Sequence, residues 1–186
     1  MSMELETPRL LLRPLRLADA ETIQELFPHW DIVRYLASVV PWPYPADGAT
    51  TYYCNDVAPT VAREDEWHWG IWLKGGPDHL IGTVALMKDE INNRGFWLGL
   101  PWHGRGLMSE AVLAVTDYWF DELKFSVLRV PKAIANTASR RISEKYAMRV
   151  IAAEERNYVS GRLLSEIWEV TAEEWREYRR LSSGRT

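Results

Sequence analysis

A glycine-rich segment from His103 to Ala111 has the residue types and the spacing of an anion-binding loop. Gly104 and Gly106 flank the basic side chain of Arg105, and a segment with helical spacing of apolar residues follows. Glycine lets the backbone come close to a ligand, and the first N–H groups of a helix have no partner within that helix. The helix dipole adds about half a positive charge at the same end. The segment therefore predicts a phosphate-binding loop, although a plain turn before a helix explains a lone Gly-x-Gly sequence equally well.

Two predicted strands lead into the segments that could do chemistry. The run 95–100 is expected to be a strand that ends at the glycine loop, and the run 127–133 is expected to be the strand before Asn136. Asn136 has the residue type of a helix N-cap, and Ser139 follows in the first turn of the predicted helix. The sequence therefore predicts that the phosphate loop and a hydroxyl group each lie at the start of a helix.

Taken together, these segments resemble the GNAT acetyltransferases, and in particular the RimJ/RimL-like branch that acetylates protein N-termini. The resemblance begins near Thr7, in a segment that looks like the first strand of that branch, and ends near Trp175. It implies an α/β fold with a mixed central sheet of about six or seven strands flanked by helices, in one domain over residues 1–186. It also implies acetyl-CoA as co-substrate and a primary amine as acceptor, most simply the α-amine of a protein N-terminus.

The resemblance assigns the coenzyme to the strand before the loop, the loop itself and the helix that begins at Asn136. Backbone groups of Trp97, Leu98 and Gly99 would bind the pantetheine arm, with Gly99 expected at a β-bulge. Asn136 would contact the same arm, cap its helix, or both, and Arg140 is grouped with it. The pyrophosphate would lie at the loop, although both ends of the loop depart from the family pattern. The loop residues are His103, Gly104, Arg105, Gly106, Leu107, Met108 and Ser109.

The resemblance also implies candidate catalytic residues. Ser139 occupies the position that is proposed, in this branch, to protonate the leaving thiolate, and Ser143 stands where many GNAT enzymes carry a tyrosine. Asn93 stands where relatives often carry a glutamate, and its amide cannot act as a base. Asp89 and Glu90 lie just upstream. Glu90 is therefore the predicted general base, acting through water, with an ordinary exposed turn carboxylate as the alternative.

Three prolines exclude regular structure in the segment 41–45. Trp42 and Tyr44 lie within this segment, and Trp30 and Tyr35 precede it. In the family this region lies near the acceptor groove, so Trp30, Tyr35, Trp42 and Tyr44 are predicted to contact the acceptor. Rigid aromatic surfaces bind an extended peptide at a small entropic cost. Two alternatives stay open: a small amine such as an aminoglycoside or a polyamine as acceptor, and a coenzyme A-binding module without catalytic activity. The missing glutamate and tyrosine motivate the second alternative.

The composition excludes several classes of protein. The formal net charge of −4 and the sequence pI near 5.6 argue against bulk nucleic-acid binding. No apolar run approaches the ~20 residues that span a bilayer, and no run resembling a signal peptide begins the chain, so we expect a cytoplasmic protein without a membrane partner. The single cysteine, Cys54, is expected to be a buried helix residue. The histidines lack metal-ligand spacing, so no metal ion is expected, and a homodimer is compatible with the sequence.

Hydrophobic periodicity predicts the elements that position these groups. The predicted strands are 9–15, 66–73, 80–87, 95–100, 127–133, 149–157 and 163–170. The predicted helices are 17–27, 31–37, 47–62, 105–123, 136–146 and 172–180. After the helix that carries Ser139, Ala147 stands where the family has a glycine in a left-handed turn. Alanine disfavours the positive φ of that turn, so the sequence argues against it.

Overall fold

The protein consists of two antiparallel sheets with helices on both faces, in a computed structural model that describes residues 3–183. The strands, in chain order, are β1 (Leu5–Glu6), β2 (Leu10–Pro14), β3 (Glu66–Leu73), β4 (Gly82–Met87), β5 (Arg94–Leu98), β6 (Val127–Ala133), β7 (Arg149–Tyr158) and β8 (Gly161–Thr171). The helices are α1 (Ala20–Leu26), α2 (Trp30–Val33), α3 (Gly48–Tyr52), α4 (Ala58–Ala62), α5 (Leu107–Asp117), α6 (Thr137–Lys145) and α7 (Ala172–Ser183). The predicted α/β architecture is confirmed.

The first five strands form one sheet in the order β1-β2-β3-β4-β5, and the last three form a second sheet in the order β6-β8-β7. Successive strand residues face opposite sides, so each face has its own apolar core. One core lies under α5, whose buried residues Leu107, Ala111 and Val115 recur at helical spacing and pack with Trp69. The helices α1 to α4 cover the other face, where Val33 is fully buried.

The two sheets separate between β5 and β6, and a cleft opens there. Asn93, just before β5, donates its backbone N–H to the Arg129 carbonyl (2.8 Å), and its Oδ1 accepts from the Arg129 N–H (2.7 Å). Three residues after Asn93 and Arg129, Phe96 of β5 faces Lys132 of β6, so the two strands run in the same direction. In the described residues, no backbone hydrogen bond joins these strands beyond Asn93. The cleft therefore lies between two parallel strands of different sheets and opens toward the glycine loop and α6.

Two long predicted helices are interrupted by π-helical turns. The turn Tyr53–Val57 separates α3 from α4, and the turn Tyr118–Glu122 follows α5. A π-helical turn inserts an extra residue and so changes which side chains face inward. Val57 is buried whereas Cys54 is exposed, so the prediction of a buried cysteine is wrong.

The left-handed turn after α6 forms although the sequence argues against it. Ala147 has a φ of 56°. The residues on either side of it, Tyr146 and Met148, are both buried, and both donate their backbone N–H groups to the Ser143 carbonyl at 3.2 Å. Packing on both sides of Ala147 therefore holds a backbone conformation that alanine alone disfavours.

Candidate active site

The glycine loop lies at the start of α5, with its backbone open on one side. Gly104 and Gly106 both have a φ of 73°, in the left-handed region that glycine adopts readily. A Cβ atom at Gly104 would meet nothing within 4 Å, and one at Gly106 would meet only an Arg9 guanidinium nitrogen at 3.6 Å. Gly106 is the N-cap of α5, and no side chain caps this helix. The first N–H groups of α5 are therefore available to an anion.

An ion pair between Glu110 and Arg9 holds the loop from behind. Glu110 of α5 accepts from the Thr7 hydroxyl (2.6 Å) and from the Arg9 backbone N–H (2.9 Å), and Arg9 Nε lies 2.6 Å from its second oxygen. The Arg9 guanidinium also donates to the Arg105 carbonyl (2.9 Å). Burial opposes the ionisation of Glu110, but the hydrogen bonds outweigh it, so the pKa of Glu110 lies below its ordinary value. The side chain of Arg105 is exposed beside the open backbone.

Backbone groups of β5 point alternately to β4 and to the cleft. Gly99 donates its N–H to the Ile81 carbonyl (2.8 Å), so by alternation the backbone of Trp97 also faces β4. Phe96 and Leu98 then direct their backbone groups into the cleft. Of the three predicted pantetheine contacts, only Leu98 has this orientation, and the sequence analysis missed Phe96. The pairing of β4 with β5 is regular from Arg94 to Leu98, and a bulge at Gly99, beyond this pairing, stays a prediction.

His103 braces the loop against the end of β5. Its Nε2 lies 2.7 Å from the Leu98 carbonyl, which requires the proton on Nε2. The chain between Leu98 and His103 packs closely on itself, because a Cβ atom at Gly99 would lie 2.7 Å from the Trp102 ring. A contact between His103 and a phosphate group stays a prediction.

Ser139 lies beside the cleft, in the first turn of α6. Asn136 Oδ1 accepts from the Ser139 N–H (3.2 Å), so the predicted N-cap is confirmed. Lys132 Nζ donates to Ser139 Oγ (2.6 Å) and lies 5.2 Å from the centre of the Phe96 ring. Because the lysine is the donor, the Ser139 hydroxyl hydrogen is free to be given to another group.

Two buried basic residues are absent from the predicted site: Lys132, beside Ser139, and Arg94, which starts β5 and extends to Thr116 of α5. Each is 5% exposed, and neither forms an ion pair with a carboxylate of the described residues. Arg94 donates to Thr116 Oγ1 (2.8 Å), while its Nε has no partner. Burial lowers the pKa of Arg94 to about 10, and burial together with the Arg94 charge lowers the pKa of Lys132 well below its ordinary value. The sequence does carry a signal for a buried Lys132, because inward-facing residues alternate along β6 and Lys132 follows Leu128 and Val130 in that alternation.

Two predicted coenzyme contacts have side chains that are engaged within the protein. Arg140 donates through Nε (2.8 Å) and a terminal nitrogen (3.1 Å) to the two oxygens of Glu166. Ser109 is buried, with its hydroxyl 2.8 Å from the Tyr146 hydroxyl and 3.2 Å from Lys145 Nζ. The Ser109 side chain therefore connects α5 to the end of α6. Its backbone N–H, in the first turn of α5, remains for an anion bound at the loop.

Glu90 lies at the closed end of the cleft, where it lines an open cavity of about 550 Å³. Its side chain is exposed, and its carbonyl accepts from the Arg129 guanidinium (3.4 Å). Asn93 fixes the same end, because its Oδ1 accepts from Arg129 and its Nδ2 donates to two upstream carbonyls. In the part of the chain that the structure describes, no hydrogen bond joins Glu90 to Ser139. The assignment of Glu90 as the base stays a prediction.

Trp30 and Trp42 form an exposed aromatic pair on the face of α1 to α4. Their ring centres are 5.7 Å apart, and each residue is 42% exposed. Tyr35 lies nearby in sequence, with the guanidinium of the preceding arginine 4.9 Å from its ring centre. The structure thus joins two of the four predicted substrate contacts into one surface.

Tyr44 is partly buried and packs against the core, away from this surface. Its ring lies edge-on to Phe27 at 4.9 Å, and Phe27 in turn lies 5.3 Å from the Trp97 ring of β5. A Cβ atom at Gly48 would lie only 2.7 Å from the Tyr44 ring. Tyr44 therefore fixes the proline-rich segment to the sheet, and a direct contact with substrate stays a prediction.

A family model described as an acetyltransferase (GNAT) domain matches residues 9–149, which include the glycine loop, Lys132 and Ser139. The chain belongs to the GNAT family. The match confirms the predicted GNAT fold. In the residues that the structure describes, no helix is long and apolar enough to cross a membrane.

Individual relatives cover different parts of the chain. The Bacillus subtilis (strain 168) protein named "Probable N-acetyltransferase YjcK" is 34% identical over 90 residues, which are 46% of this chain and 49% of that protein. The chain thus matches about half the length of this relative. A solved structure of RimL, a ribosomal L7/L12 alpha-N-protein acetyltransferase in complex with coenzyme A, has a TM-score of 0.75 at 13% identity and covers 89% of this chain and 95% of its own. The structure of FdhC, a nucleotide-linked sugar GNAT, has a TM-score of 0.76 at 16% identity and covers 98% of each chain.

Proposed function

We propose that this protein is an acetyl-CoA-dependent N-acetyltransferase whose acceptor is the α-amine of a protein N-terminus. The observation that carries the proposal is the open glycine loop at the start of α5, which lies at the wide end of the cleft between β5 and β6. Such a loop suits a pyrophosphate, and the adjoining cleft offers an extended arm β5 backbone that is not bonded to β6.

The residues present fit the coenzyme. The first N–H groups of α5, with Arg105 beside them, would hold the pyrophosphate, and the backbone of Phe96 and Leu98 would hold the pantetheine arm. Asn136 caps α6 through Oδ1, which leaves its amide nitrogen for the same arm. Acetyl-CoA supplies the acetyl group as a thioester, whose C–S bond breaks as the new C–N bond forms.

Within the cleft, this chain's residues would manage protons and charge. Ser139 Oγ holds a hydrogen that is free to be donated, and we assign it to the departing sulfur. The buried charge of Arg94 stabilises negative charge that develops nearby, since a site that excludes water strengthens electrostatic interactions. Glu90 would accept the surplus proton of the amine through water.

The acceptor class rests on the Trp30–Trp42 pair and on the likeness to RimL, whose name states an alpha-N-protein substrate. An exposed pair of rings offers a broad apolar surface to the first side chains of an extended peptide. FdhC has the same degree of fold similarity, so the fold alone does not select an acceptor. A small amine would need little of this aromatic surface.

The decisive experiment offers one set of acceptors with acetyl-CoA and follows acetylation by mass spectrometry. Peptides with free N-termini are compared with the same peptides blocked at the N-terminus, with a polyamine and with an aminoglycoside. Transfer only to free N-termini is the expected result. Transfer to a polyamine or an aminoglycoside without transfer to any peptide would refute the acceptor class, and coenzyme binding without transfer to any amine would refute the activity.

A further inference from the structure

We propose that Lys132 is a positioning residue for the transfer reaction and supplies, through Ser139, the proton that the departing sulfur takes up. This inference rests on the proposed acetyl transfer but not on the class of acceptor.

Among the described residues, Lys132 has one hydrogen-bond partner. Its side chain runs inward from β6, it is 5% exposed, and Nζ donates to Ser139 Oγ at 2.6 Å. The other neighbour of Nζ is the Phe96 ring, which cannot take a proton. A buried ammonium that touches one hydroxyl group can pass its proton only to that group.

The charged groups around Lys132 do not make it half of a structural ion pair. Glu166 lies directly opposite on β8, but Arg140 of α6 binds both oxygens of that carboxylate. Arg94 of β5 is a second buried cation, and Tyr146, at the end of α6, interacts with Arg94. A lysine that served only to stabilise the fold would be expected to face a carboxylate, because burying an unpaired charge is unfavourable.

This environment makes the Lys132 ammonium a stronger acid than that of an exposed lysine. Burial lowers the pKa of Lys132 most, and the neighbouring Arg94 charge lowers it further. Ser139 stands in the first turn of α6, so the positive end of that helix dipole acts in the same direction. A proton that is released easily suits a group that must restore the Ser139 hydroxyl during each turnover.

In the proposed transfer, each proton that moves has a donor and an acceptor. The Ser139 hydroxyl hydrogen passes to the departing sulfur as the C–S bond breaks, and a proton from the Lys132 ammonium restores the hydroxyl. The neutral amine attacks, and its nitrogen gives up one N–H proton to the base or to water as the C–N bond forms, which leaves a neutral amide. This proton equals the one that the sulfur takes up, so the protein has neither gained nor lost a proton once solvent has returned one to Lys132 through the Ser139 hydroxyl. An amine that arrives protonated releases one further proton to solvent before it attacks.

The test is a double-mutant cycle with Lys132→Met and Ser139→Ala, in single turnover, with any amine that the wild type acetylates. Each single variant is expected to be slower, by roughly a hundredfold for Ser139→Ala and on the order of tenfold for Lys132→Met, because water replaces the lysine. The double variant should be no slower than Ser139→Ala alone, since the lysine acts through that hydroxyl. Multiplication of the two effects would overturn the proposal.

Two further variants separate proton supply from charge and from packing. Lys132→Arg keeps the charge but does not release a proton near neutral pH, so it should be as slow as Lys132→Met. Recovery of the rate in Lys132→Arg would overturn the proposal. The wild-type rate should fall as the pH rises through the Lys132 pKa, and this fall should be absent in Lys132→Met. The exposed Lys74→Met is the control and should match the wild type.

Equilibrium unfolding in urea gives a readout that needs no substrate. The pKa of Lys132 is lowered in the folded protein, so between that pKa and the ordinary value of about 10.5 the unfolded chain binds more protons. Wild-type stability should therefore rise with pH across this window relative to Lys132→Met. A difference that does not change with pH would overturn the inference even if acetyl transfer is observed, whereas loss of the proposed function appears as a wild type that acetylates no amine.

Discussion

Gly106 provides the sharpest test of the coenzyme site, because it separates charge from shape at one atom. Asp and Asn have nearly the same shape, so Gly106→Asp and Gly106→Asn differ chiefly by one negative charge at the N-terminus of α5. If the pyrophosphate binds there, the carboxylate of the Asp variant repels it and takes up the same N–H groups. The Asn variant takes up N–H groups without repelling the phosphates.

Both variants are expected to fold. A residue other than glycine at the Gly106 φ of 73° is strained by about 1–2 kcal/mol, but Asn and Asp adopt this region more readily than other residues. The added Cβ meets only the flexible end of Arg9 at 3.6 Å. An Asn or Asp side chain at an N-cap is better than glycine by only about a few tenths of a kcal/mol, so it does not offset this strain. Both variants should therefore lose about 1–2 kcal/mol in the free energy of unfolding, by similar amounts.

The effect on binding follows from Coulomb's law. Two unit charges about 4 Å apart near a protein surface repel by about 4 kcal/mol, which is about a thousandfold in Kd. Complete screening by bulk water would reduce this to about 1 kcal/mol, or about fivefold. The Asp variant should therefore bind coenzyme A between about fivefold and a thousandfold more weakly than the Asn variant.

Isothermal titration calorimetry with coenzyme A measures this ratio directly, at low and at high salt. The ratio should shrink as salt increases, since screening weakens the repulsion. Urea unfolding of both variants serves as the control for folding. Equal Kd values for two folded variants would mean that the phosphates bind elsewhere, and the assignment of the loop would be wrong.

Four other substitutions test separate parts of the site and its surroundings. Ser139→Ala should slow single turnover by about a hundredfold with little change in the Kd for coenzyme A, and an unchanged rate would leave Ser139 only a helix residue. Trp42→Ala should raise KM for a peptide without changing KM for acetyl-CoA, because the Trp42 ring is exposed. Tyr44→Ala should lower the free energy of unfolding by about 3 kcal/mol, because the Tyr44 ring is packed against the core. Unchanged peptide kinetics in Trp42→Ala would refute the aromatic surface. Arg94→Met should leave the unfolding free energy unchanged or raise it by about 1 kcal/mol, because the buried guanidinium lacks a carboxylate, and a loss above about 2 kcal/mol would contradict this.

The sequence was sufficient for the parts of the site that depend on local chemistry. The glycine loop and α5 follow from backbone freedom and from apolar residues at helical spacing, and Asn136 follows from its side chain. The separation of β5 from β6 depends on hydrogen bonds that do not form, and no residue type marks such an absence. Its position follows only from the structure, in which Asn93 and Arg129 make the last contacts between the two strands.

The errors and omissions have a common cause in tertiary context. Lysine and arginine usually lie at the surface, so Lys132 and Arg94 were passed over although their strand positions face inward. Tyr44 looked like part of an exposed loop, yet its ring completes the core beside Phe27. Cys54 was assigned to a regular helix, and the π-helical turn moved it outward. In each case long-range packing decided what the local pattern could not.

The polar residues along the cleft fall into two groups with different consequences. At the closed end, Asn93 uses both ends of its amide to join the sheets, so it fixes geometry where relatives often have a base. Farther in, Arg94 and Lys132 are buried without a carboxylate, which is unfavourable in the resting protein. A negative charge that develops between them in a transition state would relieve this, and interactions that strengthen only at that point accelerate a reaction. If the proposed transfer develops negative charge on oxygen and sulfur close to these two side chains, their burial without a carboxylate has a function that the fold alone does not require.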